Sequence, residues 1–262
     1  MSILDRIIAA KKSEIAAEKS LLPARRAIEL ASAAAPSRPF SPALRHPGRI
    51  NVIAEVKWAS PSRGEIRPGA DPIDVAHAYA AAGAAAISVL TDGRFFLGSP
   101  AHLKAVRAVV DLPLLRKDFL FDEYQIYRSR ALGADAVLLI AAILDAKTLT
   151  TLIGVGRSLD MESLVEVHAE DDLRKAIDCG ASLIGVNNRD LATLRVSIET
   201  SLRLAPLLPS TAVRVSESGV ESRADLELLK EAGYDAVLIG ERLMREADPG
   251  AALRQLIGED AT

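Results

Sequence analysis

Short apolar, β-branched runs alternate along most of this chain with segments of helical period. The first such run, Asn51-Val52-Ile53-Ala54-Glu55-Val56-Lys57, reads as a buried strand, and Trp58-Ala59-Ser60-Pro61-Ser62-Arg63-Gly64 as the loop that follows it. Side chains alternate across a strand, so Ile53, Glu55 and Lys57 share one face and Val52, Ala54 and Val56 the other. Two opposite charges therefore emerge together at the C-terminal end of an apolar strand. Burial of such a pair is costly, which leaves an edge-strand ion pair or a charged site at the mouth of a parallel sheet.

Four later segments are variants of one phrase: Gly83-Ala84-Ala85-Ala86-Ile87, Gly133-Ala134-Asp135-Ala136-Val137, Gly180-Ala181-Ser182-Leu183-Ile184 and Gly233-Tyr234-Asp235-Ala236-Val237, spaced by about 50 residues. Each sets a helix-ending glycine before a buried strand. Pro113–Leu115, Ser163–Val167 and Ala212–Val215 are further strands, so each repeat holds two βα units. Asp71-Pro72, Ser99-Pro100 and Asp248-Pro249 pair a capping residue with proline at the first helical position. Alternating strands and helices require a parallel sheet with right-handed crossovers. Eight such units in about 210 residues predict an α/β protein built as a single closed (β/α)8 (TIM) barrel. An open doubly wound sheet is the alternative, but no Gly-x-Gly-x-x-Gly follows any strand.

Ahead of the barrel, Ser2–Lys19 reads as an amphipathic helix with Ile3, Leu4, Ile7, Ile8 and Ile15 toward one face and Lys11, Lys12 and Glu14 toward the other. Ser2 with Asp5 resembles a capping box. Pro23–Ala35 reads as a second helix, after which Pro36, Pro39, Pro42 and Pro47 interrupt regular structure. The expected organisation is one domain over residues 1–262, with a helical extension and linker through 48 and the barrel from 49 onward.

Composition narrows the function. The 262 residues are 49% hydrophobic and 26% charged, as in a soluble globular enzyme. The net charge is −3 and the pI about 5.9, so no basic field draws nucleic acid. Cys179 is the single cysteine, which excludes an internal disulfide and a thiolate metal cluster and points to a reducing compartment, the cytoplasm. His46, His77, His102 and His168 show no metal-ligand spacing, and no apolar run reaches transmembrane length. The N-terminus lacks the apolar core of a signal peptide.

Barrel chemistry sits at the C-terminal ends of the strands. If Glu55 and Lys57 face inward, alternation turns Lys117 and Phe119, Glu166 and His168, and Asn187 and Arg189 inward as well. So many ionic groups in one mouth point to acid–base work on an anionic sugar phosphate. Gly219 and Gly240 follow the seventh and eighth strands, where barrels of this kind hold phosphate on backbone N–H groups and a short helix, here Glu241-Arg242-Leu243-Met244. Phe96 and Phe119 can sandwich an aromatic ring. Trp58 either caps the site or rests on the surface.

These residues resemble the indole-3-glycerol phosphate synthases of tryptophan biosynthesis. The matching motifs are Ile53-Ala54-Glu55-Val56-Lys57 with Ala59-Ser60-Pro61-Ser62, Leu114-Leu115-Arg116-Lys117-Asp118-Phe119, Leu164-Val165-Glu166-Val167, Ile184-Gly185-Val186-Asn187-Asn188-Arg189-Asp190-Leu191 and Glu217-Ser218-Gly219. The resemblance implies a carboxy-lyase that converts 1-(o-carboxyphenylamino)-1-deoxyribulose 5-phosphate to indole-3-glycerol phosphate with loss of carbon dioxide and water, using no cofactor or metal. It implies Lys117 as the general acid at the ketone and Glu166 as the base in the dehydration. Lys57 would hold the anionic substrate and is a second candidate proton donor, while Glu55, Asn187 and Arg189 orient substrate and lysines. Ser60 and Pro61 would contact the substrate from the first loop. Phe96, Phe119, Leu138 and Leu238 would surround the aromatic ring, and Ser218, Gly219, Gly240 and Glu241 the phosphate. Trp58, Leu97 and Glu241 depart from the usual residues, so Glu241 is expected to offer phosphate only its backbone N–H. A small-molecule sugar phosphate is the expected partner, with neither nucleic acid nor membrane, and the oligomeric state is open. The competing readings are a sister phosphoribosyl isomerase barrel, a Schiff-base aldolase using Lys117 or Lys57, and a non-catalytic sugar-phosphate-binding barrel.

Overall fold

The computed structural model describes residues 3–61, 63–190 and 193–258. Eight parallel strands close into a barrel in sequence order: β1 (Asn51–Val56), β2 (Ala86–Leu90), β3 (Leu114–Lys117), β4 (Ala136–Ile140), β5 (Glu162–Val167), β6 (Leu183–Asn187), β7 (Val213–Glu217) and β8 (Ala236–Ile239). Ile53 sits opposite Ala86 on one side and Leu238 on the other, so β1 joins β2 to β8 and seals the sheet. The expected alternation holds. Ile53, Leu115, Leu164, Leu183 and Val215 fill the interior, while Val52, Ala54 and Val56 pack outward against the helical layer. The third and seventh strands run further than their apolar residues suggested. Lys117 pairs with Leu90 and Glu217 with Asn187 in the ladder, so both charged residues are held by the sheet itself rather than by a loop.

The local signals act as their chemistry requires. Asp71, Ser99 and Asp248 each accept a backbone N–H from the first turn of their helices. The four repeated glycines all have φ between +80° and +91°, the left-handed conformation that ends a helix and that glycine adopts without a Cβ clash.

Two local expectations change. The loop after β1 contains a short antiparallel ribbon, Ala59–Ser60 against Gly64–Glu65; Ser62 lies outside the described residues. Trp58 neither caps the cavity nor rests on the surface. It is buried in the outer core, its indole N–H donates to the Ala70 carbonyl at 2.9 Å, and its ring packs on His102 at 4.1 Å between centroids. Trp58 follows Lys57, so alternation turns it away from the barrel axis.

The N-terminal segment touches both ends of the barrel. Helix α1 covers Ile3–Leu21 and α2 covers Ala24–Ser32; Ser2, the expected cap of α1, lies outside the described residues. The proline-rich stretch is not wholly irregular, because Phe40–Ala43 forms a turn of helix, α3. Pro42 falls in its first turn, where no intrahelical N–H is needed. Phe40 and Leu44 are fully buried and join the interior cluster. The Ser41 N–H donates to Glu162 at the start of β5, and Asn51 at the start of β1 donates to the Leu44 carbonyl. These residues form the barrel floor.

Near the C-terminal ends of the strands α1 departs from its expected faces. Lys11 is buried with Ile7 and Ile15 rather than exposed with Lys12. Residues 7, 11 and 15 recur at i, i+4 spacing, so Lys11 lies within the apolar stripe. Its Nζ stands 2.8 Å from Asp92 and 3.1 Å from Asp118, beyond the ends of β2 and β3. Burial would lower the Lys11 pKa, but Asp118, Asp92 and Glu14 raise it above its ordinary value. Asp118 also receives Arg116 at 2.9 Å and the Thr91 hydroxyl at 2.6 Å. Lys11→Met should therefore cost about 3 kcal/mol by leaving buried carboxylate charge uncompensated. Chemical denaturation checks this; a variant as stable as the parent would mean the contact is energetically neutral. No helix among the described residues is long and apolar enough to cross a membrane.

Candidate active site

A cavity of about 660 Å³ opens at the C-terminal ends of the strands, a size that suits a small metabolite. Its polar lining includes Glu55, Lys57, Lys117, Glu166, Asn187 and Arg189, each on the side that alternation assigned to it. Leu138, Leu238, Phe96 and Phe119 supply apolar wall.

The charged groups form a chain across the mouth. Lys57 Nζ lies 2.8 Å from Glu55 Oε1. Lys117 Nζ lies 3.3 Å from Glu55 Oε2 and 2.8 Å from Glu217 Oε2. Burial works against the charge on Glu55, but Lys117 and Lys57 overcome it and hold its pKa at about 2. Burial likewise works against the Lys117 ammonium, and Glu217, Glu55 and Glu166 together raise it above the ordinary lysine value. Lys117 is thus a cation throughout the neutral range, placed to donate a hydrogen bond to an oxygen in the cavity. Glu217 answers to burial first. Lys117 pulls its pKa down, Glu166 and Glu55 push it up, and it settles at about 7. With that pKa Glu217 gains or loses a proton near neutrality while Lys117 stays charged.

Glu166 stands beside this chain. Its Oε1 lies 3.2 Å from His168 Nε2, and His168 Nδ1 lies 3.1 Å from the Asn187 carbonyl. Burial would raise the Glu166 pKa, but His168, Lys117 and the Asn187 side chain bring it below the ordinary carboxylate value. A buried, ionised carboxylate facing the cavity has the character of a general base.

The opposite side is built for an anion. Ser218 and Gly219 have φ of +67° and +83°, two successive left-handed residues that turn backbone toward the cavity. Serine rarely adopts this conformation, and the Asn188 side chain holds it there by donating to the Ser218 carbonyl at 2.9 Å and the Ser216 hydroxyl at 3.0 Å. Gly240 has a second reason to be glycine: a Cβ there would collide with the Glu55 carboxylate. Gly185 serves Glu217 in the same way. The expected short helix covers Glu241–Met244. Glu241 Oε1 pairs with Arg63 at 2.9 Å and Oε2 with Arg189 at 3.3 Å, so two guanidinium groups neutralise this carboxylate.

Two expectations on contacts change. Ser60 is buried in the ribbon after β1 and does not line the cavity, whereas its neighbour Pro61 does. Phe96 and Phe119 do not stand apart to hold a ring between them. Their centroids are 6.0 Å apart at 38°, which makes one aromatic wall. Three residues escaped the sequence reading: Glu217, Asn188 and Arg63. Glu217 was visible in principle, because Val213 and Val215 face the interior and alternation puts Glu217 with them.

The closed barrel and the cluster of lysines and buried carboxylates at the C-terminal ends of its strands are those of a (β/α)8-barrel enzyme. The family model for indole-3-glycerol phosphate synthase matches residues 4–256. Among curated relatives, the indole-3-glycerol phosphate synthase of Roseiflexus sp. (strain RS-1) is 49% identical over 265 residues, 98% of each chain. That of Carboxydothermus hydrogenoformans is 54% identical over 211 residues, 80% of each. The chain belongs to the indole-3-glycerol phosphate synthase family. A crystal structure of 3-hexulose-6-phosphate synthase shares the barrel with a TM-score of 0.64 at 14% identity, covering 81% of this chain and 100% of that one; this likeness shows the fold alone.

Proposed function

We propose that this chain carries out its family's reaction, the conversion of 1-(o-carboxyphenylamino)-1-deoxyribulose 5-phosphate to indole-3-glycerol phosphate, and that the cavity residues divide the work as follows. Lys117 donates to the ketone oxygen and makes its carbon electrophilic as the ring carbon bearing the carboxylate attacks. Loss of carbon dioxide returns the electron pair to the ring. The hydroxyl then takes a proton from Lys57, the second candidate donor, and departs as water while Glu166 removes the proton from the carbon beside the ring nitrogen, which completes the indole. Lys57 binds the substrate carboxylate and is held in place by Glu55. Asn187 and Arg189 orient the substrate. Phe96, Phe119, Leu138 and Leu238 exclude water around the aromatic ring. Ser218, Gly219, Gly240 and Glu241 bind phosphate through their backbone. The reaction takes place in the cytoplasm, a reading supported by the lone, buried Cys179.

The observation that carries this reading is the placement of Lys117, within 3.3 Å of two carboxylates that keep it charged and on the same cavity as Glu166. An isomerase needs one acid and one base, and this mouth offers more. An aldolase needs a free, neutral lysine for Schiff-base formation, and both candidates are paired with carboxylates, Lys117 with Glu217 and Glu55 and Lys57 with Glu55. Incubation with the carboxyphenylamino-deoxyribulose phosphate should produce indole fluorescence. An isomerised sugar phosphate with no indole, or borohydride trapping on a lysine, would refute the proposal.

The phosphate assignment has its own test. A Cβ at position 219 would meet Val196 at 2.8 Å and would be strained by the positive φ. Gly219→Ala should raise KM about tenfold or more with little change in kcat, because phosphate binding contributes to ground and transition state alike. Unchanged inhibition by glycerol phosphate in that variant would put the phosphate elsewhere.

A further inference from the structure

His168 has no part in the chemistry above, yet it is wedged between the proposed base and the backbone of the next strand. Its Nδ1 faces the Asn187 carbonyl at 3.1 Å. A carbonyl only accepts, so Nδ1 carries a proton. Its Nε2 then faces Glu166 Oε1 at 3.2 Å. A neutral imidazole protonated at Nδ1 would turn a lone pair toward a carboxylate, which is repulsive. The contact is favourable only when one proton lies between the two groups, on the imidazole or on the carboxyl.

We propose that His168 is a positioning residue for Glu166: as an imidazolium anchored to the Asn187 carbonyl, it holds the Glu166 carboxylate ionised and aimed into the cavity. This rests on the reading of Glu166 as the base.

The surroundings favour the proton on His168. From its own strand it faces Glu166, and Glu217 of β7 adds negative charge that raises its pKa. From the following helix, Glu170–Asp178, the Asp172 carboxylate lies 3.4 Å from the His168 backbone N–H. Lys175 stands 3.8 Å from Asp172, and Glu170 pairs outward with Arg174 and Arg203. Two features oppose the imidazolium: burial, and the positive end of that helix. Burial is the largest single influence, but Glu166, the Asn187 carbonyl and Glu217 outweigh it, and the His168 pKa rises above its ordinary value. Lys117 also stabilises the Glu166 carboxylate, but it is already shared between Glu217 and Glu55. His168 is the cation committed to the base.

The test is an NMR titration of the imidazole nuclei, with His168 assigned by His168→Gln. His168 in the wild-type protein should titrate above about 6.5, and in Glu166→Gln its pKa should fall by about one unit or more. The kinetic counterpart is the pH profile of kcat. His168→Gln keeps a side-chain donor but no charge, so the acid limb set by Glu166 should move up by about one pH unit, with Tm and glycerol phosphate affinity unchanged. A His168 that titrates at or below its ordinary value, or one insensitive to Glu166→Gln, overturns the proposal. An acid limb that stays in place in folded His168→Gln overturns it equally. The titration needs no turnover, so it judges the pair even if no indole forms, and absence of product would count against the synthase reading alone.

Discussion

Lys117→Met should lose at least about 10³-fold in kcat while keeping its fold and its affinity for phosphate-bearing analogues. General acid catalysis contributes about 10²–10⁴-fold, and a fixed charge at the developing oxyanion adds electrostatic stabilisation. Both come from one ammonium, held by the 2.8 Å contact to Glu217 and the 3.3 Å contact to Glu55. The fold should tolerate the change. Glu55 keeps Lys57 at 2.8 Å, and Glu217, with a pKa already raised to about 7, takes up a proton instead of remaining an unpaired buried anion. The sign of the pH effect follows. A carboxyl whose folded pKa lies above its unfolded value, near 4.3, contributes fully below the unfolded value and loses stability as pH rises toward the folded pKa. Without Lys117 the folded pKa of Glu217 rises further. The stability deficit of Lys117→Met should therefore be small near pH 5 and grow through pH 8. Denaturation at several pH values, with kcat measured alongside, checks both parts. Near-normal kcat would transfer the acid role to Lys57.

Glu166→Gln should separate the two halves of the reaction. Ring closure and decarboxylation precede the step assigned to Glu166, so carbon dioxide should still be released, up to about one equivalent per site in the first turnover. Indole fluorescence should fall by about 10²–10⁴-fold, the usual worth of a positioned base. Glutamine preserves size and can hydrogen-bond His168, so the cavity keeps its shape while the proton acceptor is lost. Equal losses of both signals would place Glu166 at or before ring closure. Rapid-quench measurement of carbon dioxide against indole decides between them.

The barrel and most of the mouth were legible because a strand's period of two is a strict rule. Once Glu55 and Lys57 face inward, Lys117, Glu166 and Asn187 follow from position alone, and the cavity contains them all. Where a partner distant in sequence decides the placement, the pattern misleads. Lys11 read as part of a solvated helix face, but Asp92 and Asp118, more than eighty residues away, draw it into the core. Glu217 stood only as the first residue of the motif Glu217-Ser218-Gly219 and was given no role of its own, although it is the last ladder residue of β7 and faces the interior. Its role depends on Lys117, which lies on another strand. Trp58 invited a functional reading as the sole tryptophan, whereas its contacts with Ala70 and His102 make it a packing residue of the outer layer. The burial of Ser60 and the mutual arrangement of the two phenylalanines, both of which do line the cavity, were not legible because loop side chains follow no fixed period.

The proposed substrate spans one cavity, with its ketone at Lys117 and its phosphate at the loops after β7 and β8. The direct test is a crystal structure with the substrate's ketone reduced to the alcohol, which binds but cannot cyclise. The alcohol oxygen should lie within about 3 Å of Lys117 Nζ, the phosphate against the backbone N–H groups of Gly219 and Gly240, and the aromatic ring along the wall of Phe96 and Phe119. An alcohol oxygen bound to Lys57 instead, or a phosphate lodged away from those two glycines, would contradict it.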